Sequence, residues 1–492
     1  MTTKNFLAFD FGATSGRAIV GSIDKRIELN EAHRFSNPHT SLGGQYYWDA
    51  LHLYRCMIDG LKKAVASGCD SLSGIAVDTW GVDFGLLDAS GRLVSNPVMY
   101  RDPRTQGMME KVFKKVSRDV IYGETGIQFM ELNTLFQWAS LIEENNPQLD
   151  VVDTLLFMPN LLTYFLTGEK SWEYTMCSTS QLLNAEQKDW SDPVFKALDL
   201  NRSWVGPISE PGTEAGFLIK TISDEVRLSN VPVLLTASHD TASAVAAVPA
   251  EGDDWAYLSS GTWSLIGIET KKPIISELSS KYNYTNEGGV DGTIRFLKNV
   301  AGMWLLEECR RVWSLEESVP YEDLIAQAEA SKPFLCLIDP DHAMFGLPEN
   351  MPLAIRQFCQ KTDQPVPETK GAIVRCIFES LALKYAMVLE QIEEMTGKNL
   401  NRLHIIGGGS QNQLLNQWTA NATGLQVLAG PTEATAIGNI LVQAVGTGLF
   451  HSIREGRAMV GDSFPVKRFQ PENHNNWKDQ NDRFLRILNH SA

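Results

Sequence analysis

No stretch of this 492-residue chain approaches eighteen consecutive apolar residues, and its start, MTTKNFLAFD, lacks the basic and apolar segments of a secretory signal. A cytoplasmic protein with no membrane partner is therefore expected. Cysteine is scarce: Cys56, Cys69, Cys177, Cys309, Cys336, Cys359 and Cys376 are odd in number, widely spaced and without a CxxC. That pattern argues against a disulfide framework or a zinc site and for reduced, mostly buried thiols. The nine histidines are scattered and make no metal cluster. Positive charge is also short, with 43 Lys and Arg against 59 Asp and Glu, a net charge of −16. Nucleic acid and anionic membranes, both polyanions, are thereby argued against as partners. Low-complexity tracts and long linkers are missing too. What remains is an ordinary globular composition, long enough for two or more domains with ample cores.

The chain is organised around Phe6–Val20, FLAFDFGATSGRAIV, which reads as strand, tight turn and strand. A hairpin rich in glycine and hydroxyls can aim several N–H and O–H groups at one anion, because glycine has no Cβ to block close approach. Asp10 stands where a carboxylate could hold a divalent cation beside phosphate oxygens. Arg17 after Gly16, and the strand that continues from it, rule out a P-loop, and no GxGxxG opens a helix here. An ordinary hairpin turn is the competing reading. A second copy, YLSSGTWSLIGI at 257–268, aligns Gly261-Thr262-Trp263-Ser264 with Gly12-Ala13-Thr14-Ser15. Two such hairpins, one per half, suggest a duplicated domain whose halves hold one phosphate chain across a cleft.

Along the chain, Trp48–Ala66 has helical periodicity with Asp49 in its first turn. Strands around Ile75–Val77 and Phe84–Leu87 flank Asp78-Thr79-Trp80-Gly81-Val82-Asp83. That piece reads as the rim of a sugar pocket, carboxylates serving hydroxyls and an indole facing the ring, or else as a buried tryptophan with aspartates in turns. Tyr100–Arg104 is a charged loop, 133–167 is largely helical in pattern, and Trp172–Thr175 with Ser178–Gln181 forms a polar and aromatic loop. His239-Asp240 sits between the strand Val233–Leu235 and a helix over Thr241–Val248, at the strand end where α/β sheets bind ligands. Asp240 as a plain N-cap is the alternative. In the second half, Lys298–Arg311 is a helix candidate beginning near Asn299, and Gly371–Met395 is the strongest helix. Strand Leu403–Ile406 runs into Gly407-Gly408-Gly409-Ser410 and a helix from about Asn412, which lets a nucleotide lie against bare backbone and a helix N-terminus. Glu433–Gly448 reads as a small-residue helix, and the tail after Pro465 as peripheral.

Taken together, AVDTWGVDFGLLD at 76–88, YRDPRT at 100–105, WEYT at 172–175, ASHDTASAV at 237–245, LSSGTWSL at 258–265 and GGGSQN at 407–412 resemble the FGGY carbohydrate kinases over nearly the whole chain. The resemblance implies an α/β fold of two ribonuclease-H-like domains of the actin-like ATPase superfamily around a central cleft. It implies domains over 1–249 and 250–465, with a peripheral tail over 466–492. It implies Asp240 as catalytic base, and Gly81, His239, Asp240, Thr241 and Asn299 as sugar contacts. For ATP it implies Ala13, Thr14, Ser15, Gly16, Arg17, Thr262, Gly407, Gly408 and Gly409. Glu307 stands where some relatives carry Gln for an adenine-side contact. Mg²⁺ is expected as cofactor, organised by Asp10. The implied partners are a small sugar and a nucleotide, with a monomer as the default. A ketose such as L-rhamnulose is the expected acceptor, another ketose or a polyol the alternative, and an ATP-driven chaperone without sugar chemistry a third reading.

Overall fold

The computed structural model describes residues 3–315, 319–346 and 348–491. The chain forms two compact units, neither of them continuous in sequence. The first gathers 1–249, 269–296 and 433–464, and the second 250–268, 297–432 and 465–492. One cut near residue 250 therefore describes only part of the division. Helix Ala434–Gly446 belongs to the first unit because it packs on strands Lys4–Phe11 and Gly74–Thr79, with Ile437, Ile440 and Leu441 buried. The final helix, His474–Ser491, is more than a peripheral tail: Trp477 and Phe484 are buried within the second unit.

The sheet of the first unit runs in the order Glu214–Phe217, Pro232–Leu234, Gly74–Thr79, Lys4–Phe11, Ser15–Ile23, Ile27–Ser36. Its three central neighbours, Pro232–Leu234, Gly74–Thr79 and Lys4–Phe11, are parallel. They are near-continuous apolar runs, as strands covered on both faces must be. In the second unit, Trp263–Thr270, Trp255–Ser260, Arg402–Ile406, Gln426–Ala429 and Lys467–Phe469 are successive neighbours. Each unit thus places an antiparallel hairpin beside a parallel strand, the duplication suggested by the two glycine-hydroxyl turns.

Four elements differ from the periodicity reading. The segment 133–167 is not helical throughout; helices Thr134–Glu143 and Met158–Thr167 bracket a strand, Val152–Phe157. The apolar run TLLF fits either state by periodicity, and pairing with Phe84–Asp88 decides for strand. Asn299 lies in strand Ile294–Ala301, and the helix expected there begins only at Trp304, after Gly302 turns the chain. Asp49 caps its helix from outside, accepting from the His52 N–H. The charged loop at Tyr100–Arg104 is structural, since buried Asp102 accepts from the Tyr46 and Arg104 N–H groups.

Candidate active site

Strand register builds the centre of the first unit. Asp10 pairs with Asp78 across parallel strands, and Thr79 bridges to His239 on the next. Three adjacent parallel strands thus deliver Asp10, Asp78 and the His239-Asp240 pair at their carboxyl ends, the usual ligand edge of such sheets. Sequence reasoning named Asp10, His239 and Asp240 for roles and left Asp78 in the rim. Its signal was present, a carboxylate at the end of a wholly buried strand.

The carboxylates are unequally compensated. The Arg17 guanidinium donates to Asp10 Oδ2 at 2.5 Å and pairs with Glu433 through its other nitrogen. Burial works against the Arg17 charge, but Asp10 and Glu433 outweigh it and raise its pKa. Asp78 is fully buried; its Oδ2 accepts from Asn439 Nδ2 at 2.6 Å, while Oδ1 has no hydrogen-bond partner. Burial first, then Asp10, raises the Asp78 pKa well above the carboxylate range. Asp240 is 33% exposed. Desolvation raises its pKa and Asp10 adds to that, against the opposing pull of His239. Three carboxylates, of which Asp10 raises the pKa of the other two, thus stand at neighbouring strand ends, one of them with an orphaned oxygen.

Asp240 is not an N-cap. His239 occupies that position of helix Asp240–Ala246, and the Asp240 carboxylate instead accepts from Thr241 N at 2.5 Å and Thr241 Oγ1 at 3.1 Å. The backbone just before it is pinned by the WEYT segment. Glu173 accepts from Ser238 N, and Thr175 Oγ1 accepts from His239 N. The imidazole is oriented from the other side. Arg295 Nη2 lies 3.0 Å from His239 Nδ1 and 3.1 Å from Glu287 Oε2. Nδ1 also lies 3.4 Å from Glu287 Oε2; the guanidinium, which can only donate, takes Nδ1 as its acceptor, and this assigns the proton of a neutral imidazole to Nε2, 3.4 Å from Asp240 Oδ1. None of Glu173, Arg295 and Glu287 carries a local motif for this role; each acts from a distant segment.

Gly81 joins this group. A Cβ there would stand 3.3 Å from His239 Nε2, so the position lies against the imidazole. Its neighbour Val82 holds φ at 66°, costly for a β-branched residue. Bonds from Thr134 and Gln137 to its carbonyl, and from its N–H to Thr179 Oγ1, hold it there. Asp83, in contrast, is no pocket residue. It is buried and accepts from both indoles, Trp48 at 2.6 Å and Trp80 at 2.9 Å, and from Gln137 and Tyr100 N. Its lone pairs are occupied, and burial pushes its pKa up to about 6 against those hydrogen bonds.

The first hairpin tip spans Gly12–Ser15, with Phe11 paired to Gly16 and Gly12 N–H bonded to the Ser15 carbonyl. Ala13 and Ser15 are half-buried and Thr14 is exposed, whereas Gly16 is buried with no room for a Cβ beside the Phe35 ring. Gly16 is therefore a packing requirement as well as a turn residue. In the second unit the tip is one residue shorter. Ser260 pairs with Ser264, leaving Gly261-Thr262-Trp263 as the turn. The two hairpins are therefore not aligned residue for residue at their tips. Thr262 is exposed, and its carbonyl accepts from Gly302 N and Trp304 N at the start of helix Trp304–Trp313.

Gly407–Gly409 lies at the end of strand Arg402–Ile406, beside Ser260. Gly407 takes φ of 80°, and a Cβ on Gly409 would strike Ser260 Oγ at 2.0 Å, so those two glycines are needed by the fold. Gly408 faces open space. Thr262 and Gly407–Gly409 thus share one edge of the second unit, through Ser260. Glu307 is half-exposed and pairs with Arg310, whose guanidinium lies over the Tyr321 ring; Asn412 Nδ2 donates to the Tyr321 hydroxyl. That chain of contacts reaches the start of the helix after the triple glycine.

A buried carboxylate that the fold must hold gives a pH signature. Burial pushes the Glu173 pKa up to about 7 from 4.5, despite hydrogen bonds from Thr175, Met176 and Ser238. Raised in the fold, it contributes stability below pH 4.5 that is lost as pH rises through about 7. The melting temperature of wild type minus that of Glu173→Gln is expected to fall from about pH 5 to about pH 8. A difference that rises in calorimetric scans over that range would refute the assignment.

Residues 5–247 match the model of the FGGY family of carbohydrate kinases, N-terminal domain, and 256–447 the model of its C-terminal domain. A rhamnulokinase of Bacteroides thetaiotaomicron is 48% identical over 96% of this chain and 97% of its own. A rhamnulokinase of Bacillus subtilis is 40% identical over 95% of both chains. Among solved structures, a gluconate kinase of Lactobacillus acidophilus superposes with a TM-score of 0.84 at 14% identity, over 100% of this chain and 99% of its own. A Plasmodium falciparum glycerol kinase with ADP reaches 0.77 at 16%, over 100% and 98%. At that identity the likeness concerns the fold.

Proposed function

Since the chain belongs to the FGGY family of carbohydrate kinases, we propose that it transfers the γ-phosphoryl group of ATP to the 1-hydroxyl of L-rhamnulose, giving L-rhamnulose 1-phosphate and ADP, as a step of L-rhamnose breakdown. The observation that carries the chemistry is the convergence of Asp10, Asp78 and Asp240 at three neighbouring strand ends. Full-length similarity to several rhamnulokinases, between 39% and 48% identical, supports the choice of sugar.

Phosphoryl transfer has a loose, highly charged transition state, so placement and charge stabilisation are the protein's main contributions. Asp240 accepts the proton of the attacking hydroxyl. Its raised pKa makes it a stronger base than an exposed carboxylate, and one-third exposure leaves it open to a substrate. His239, held with its proton on Nε2, donates to a sugar oxygen, and Gly81 leaves space beside it. Thr241 and Asn299 complete the proposed sugar contacts. In the first unit Ala13, Thr14, Ser15, Gly16 and Arg17 offer N–H, O–H and guanidinium donors for nucleotide phosphates; in the second unit Thr262 and Gly407–Gly409 offer N–H and O–H donors for the same chemistry. Asp10 and Asp78 would hold Mg²⁺, which neutralises phosphate charge when bound. Arg17 and Asn439 fix those two carboxylates. Glu307 is proposed as an adenine-side contact.

The deciding experiment is ADP release from Mg-ATP against a panel of ketoses and polyols. Strong selective stimulation by L-rhamnulose is expected. Stimulation by another sugar would move the specificity, and none by any sugar would overturn the kinase reading. Gly408→Val tests the nucleotide assignment separately. Because a Cβ at 408 has no heavy atom within 4 Å, the fold should be unchanged while KM for ATP rises about tenfold or more. An unchanged KM would remove Gly408 from the site.

A further inference from the structure

Three of the seven cysteines meet in the second unit. Cys336 lies in the loop after helix Tyr321–Ala330, Cys359 in helix Met351–Lys361 and Cys376 in helix Lys370–Thr396. Their sulfur atoms all lie within 4.8 Å of one another, and no residue of the three is more than 2% exposed. Wide sequence spacing argued against a metal site. Spacing is silent, however, about a site assembled from three separate elements. The other four cysteines join no such group among the described residues.

The loop that delivers Cys336 is held at six backbone groups between Phe334 and Ile338. Phe334 N–H donates to Glu379, and the Phe334 and Leu335 carbonyls accept from Arg483. The Gln364 side-chain amide bonds both N–H and carbonyl of Leu337, and Ile338 N–H donates to Ser380 Oγ. Phe334 itself takes φ of 50°, strained for a bulky side chain. Such strain persists only where the surroundings over-determine the backbone. Arg483, from the final helix His474–Ser491, also brings a positive charge close enough to act on Cys336 and Cys359. Packing alone accounts poorly for this. A core cysteine behaves as a small hydrophobe, and burial of apolar area does not bring three sulfurs together.

We propose that Cys336, Cys359 and Cys376 form a three-thiolate site for one soft monovalent cation, Cu(I). Metal–sulfur bonds of about 2.3 Å place trigonal sulfurs about 4 Å apart, inside the observed limit. Structural zinc sites take four ligands, and the group here offers three, all soft. Each thiol proton leaves to solvent as its sulfur–metal bond forms, with no change of oxidation state. The Arg483 guanidinium offsets part of the negative charge that three thiolates leave around a single positive ion. The final helix thereby becomes part of the site's wall.

The test is titration of the reduced full-length protein under anaerobic conditions with Cu(I), in competition with a chromophoric Cu(I) chelator. About one equivalent per chain is expected, with near-ultraviolet sulfur-to-copper charge-transfer absorption and a higher melting temperature. Cys336→Ala and Cys359→Ala should each lose the bound copper, and Cys309→Ala should keep it. Should the cluster variants misfold, the unmodified protein still decides: Cu(I) should protect Cys336, Cys359 and Cys376 from slow alkylation, read by peptide mass spectrometry, and leave Cys69 unprotected. Failure to compete with the chelator, retention of copper by a folded Cys336→Ala, tighter uptake of Zn(II) than of Cu(I), or a disulfide joining two of the three in anaerobically purified protein would each overturn the proposal.

Discussion

Asp240→Asn is expected to lower kcat by about 10²–10⁴-fold while the protein stays folded and both KM values change little. Asparagine keeps the shape of the side chain and an oxygen for the Thr241 N–H and hydroxyl that Asp240 accepts. It removes the negative charge and with it the capacity to take a proton. The helix start should survive the change, because His239 and not Asp240 occupies the cap position. Steady-state kinetics with L-rhamnulose and Mg-ATP, beside a melting curve, separate the two readings of this residue. A kcat within a few-fold of wild type would return Asp240 to a purely structural role. A fall in kcat matched by a collapse in melting temperature would do the same.

The second large effect is expected on stability. In helix Ala434–Gly446, a Cβ on Gly438 would lie 1.7 Å from the Ser243 carbonyl oxygen and 2.5 Å from its carbon, both backbone atoms of helix Asp240–Ala246. No rotamer change relieves such a contact, so Gly438→Ala must push two helices apart. Overpacking of this kind costs about 1–3 kcal/mol or more. Asn439 would move with the helix, loosening its bond to Asp78 Oδ2. Melting temperature and kcat should therefore both fall. Gly123→Ala is the control. Gly123 lies within helix Arg118–Thr125 with no atom within 4 Å of its would-be Cβ, and the change should be neutral or stabilise by about 0.4–1 kcal/mol. Equal behaviour of the two variants would show that the helices have slack.

Much of the site was legible because its residues sit at chemically conspicuous places. Asp10 stands beside a glycine-hydroxyl turn, His239-Asp240 at a strand end, and three glycines where a strand gives way to a helix. Each of those signals is local, carried by fewer than about twenty residues, the range over which periodicity and turn chemistry operate. Other features depend on contacts that no local pattern encodes. Asp83 looked like a pocket carboxylate until Trp48 and Trp80 were found donating to it. The triple glycine read as a binding loop throughout, yet two of its members answer to Gly407's positive φ and to Ser260 packed against Gly409. The strand Val152–Phe157 was hidden in a helical reading because only its pairing with Phe84–Asp88 tells it from a buried helix turn.

The sequence by itself determined the alternation of strands and helices, the duplicated hairpin, the family, and the residue types that do the chemistry. These follow from periodicity, turn-forming residues and motifs in a fixed order along the chain. Tertiary structure alone decided which distant side chains complete each site. Glu433 reaches Arg17, Asn439 reaches Asp78, Arg295 and Glu287 set the His239 tautomer, and three cysteines from separate elements bring their sulfurs together. Local preferences fix backbone conformation within an element, whereas a contact between residues tens or hundreds of positions apart exists only once the packing of whole elements has chosen which side chains share a space.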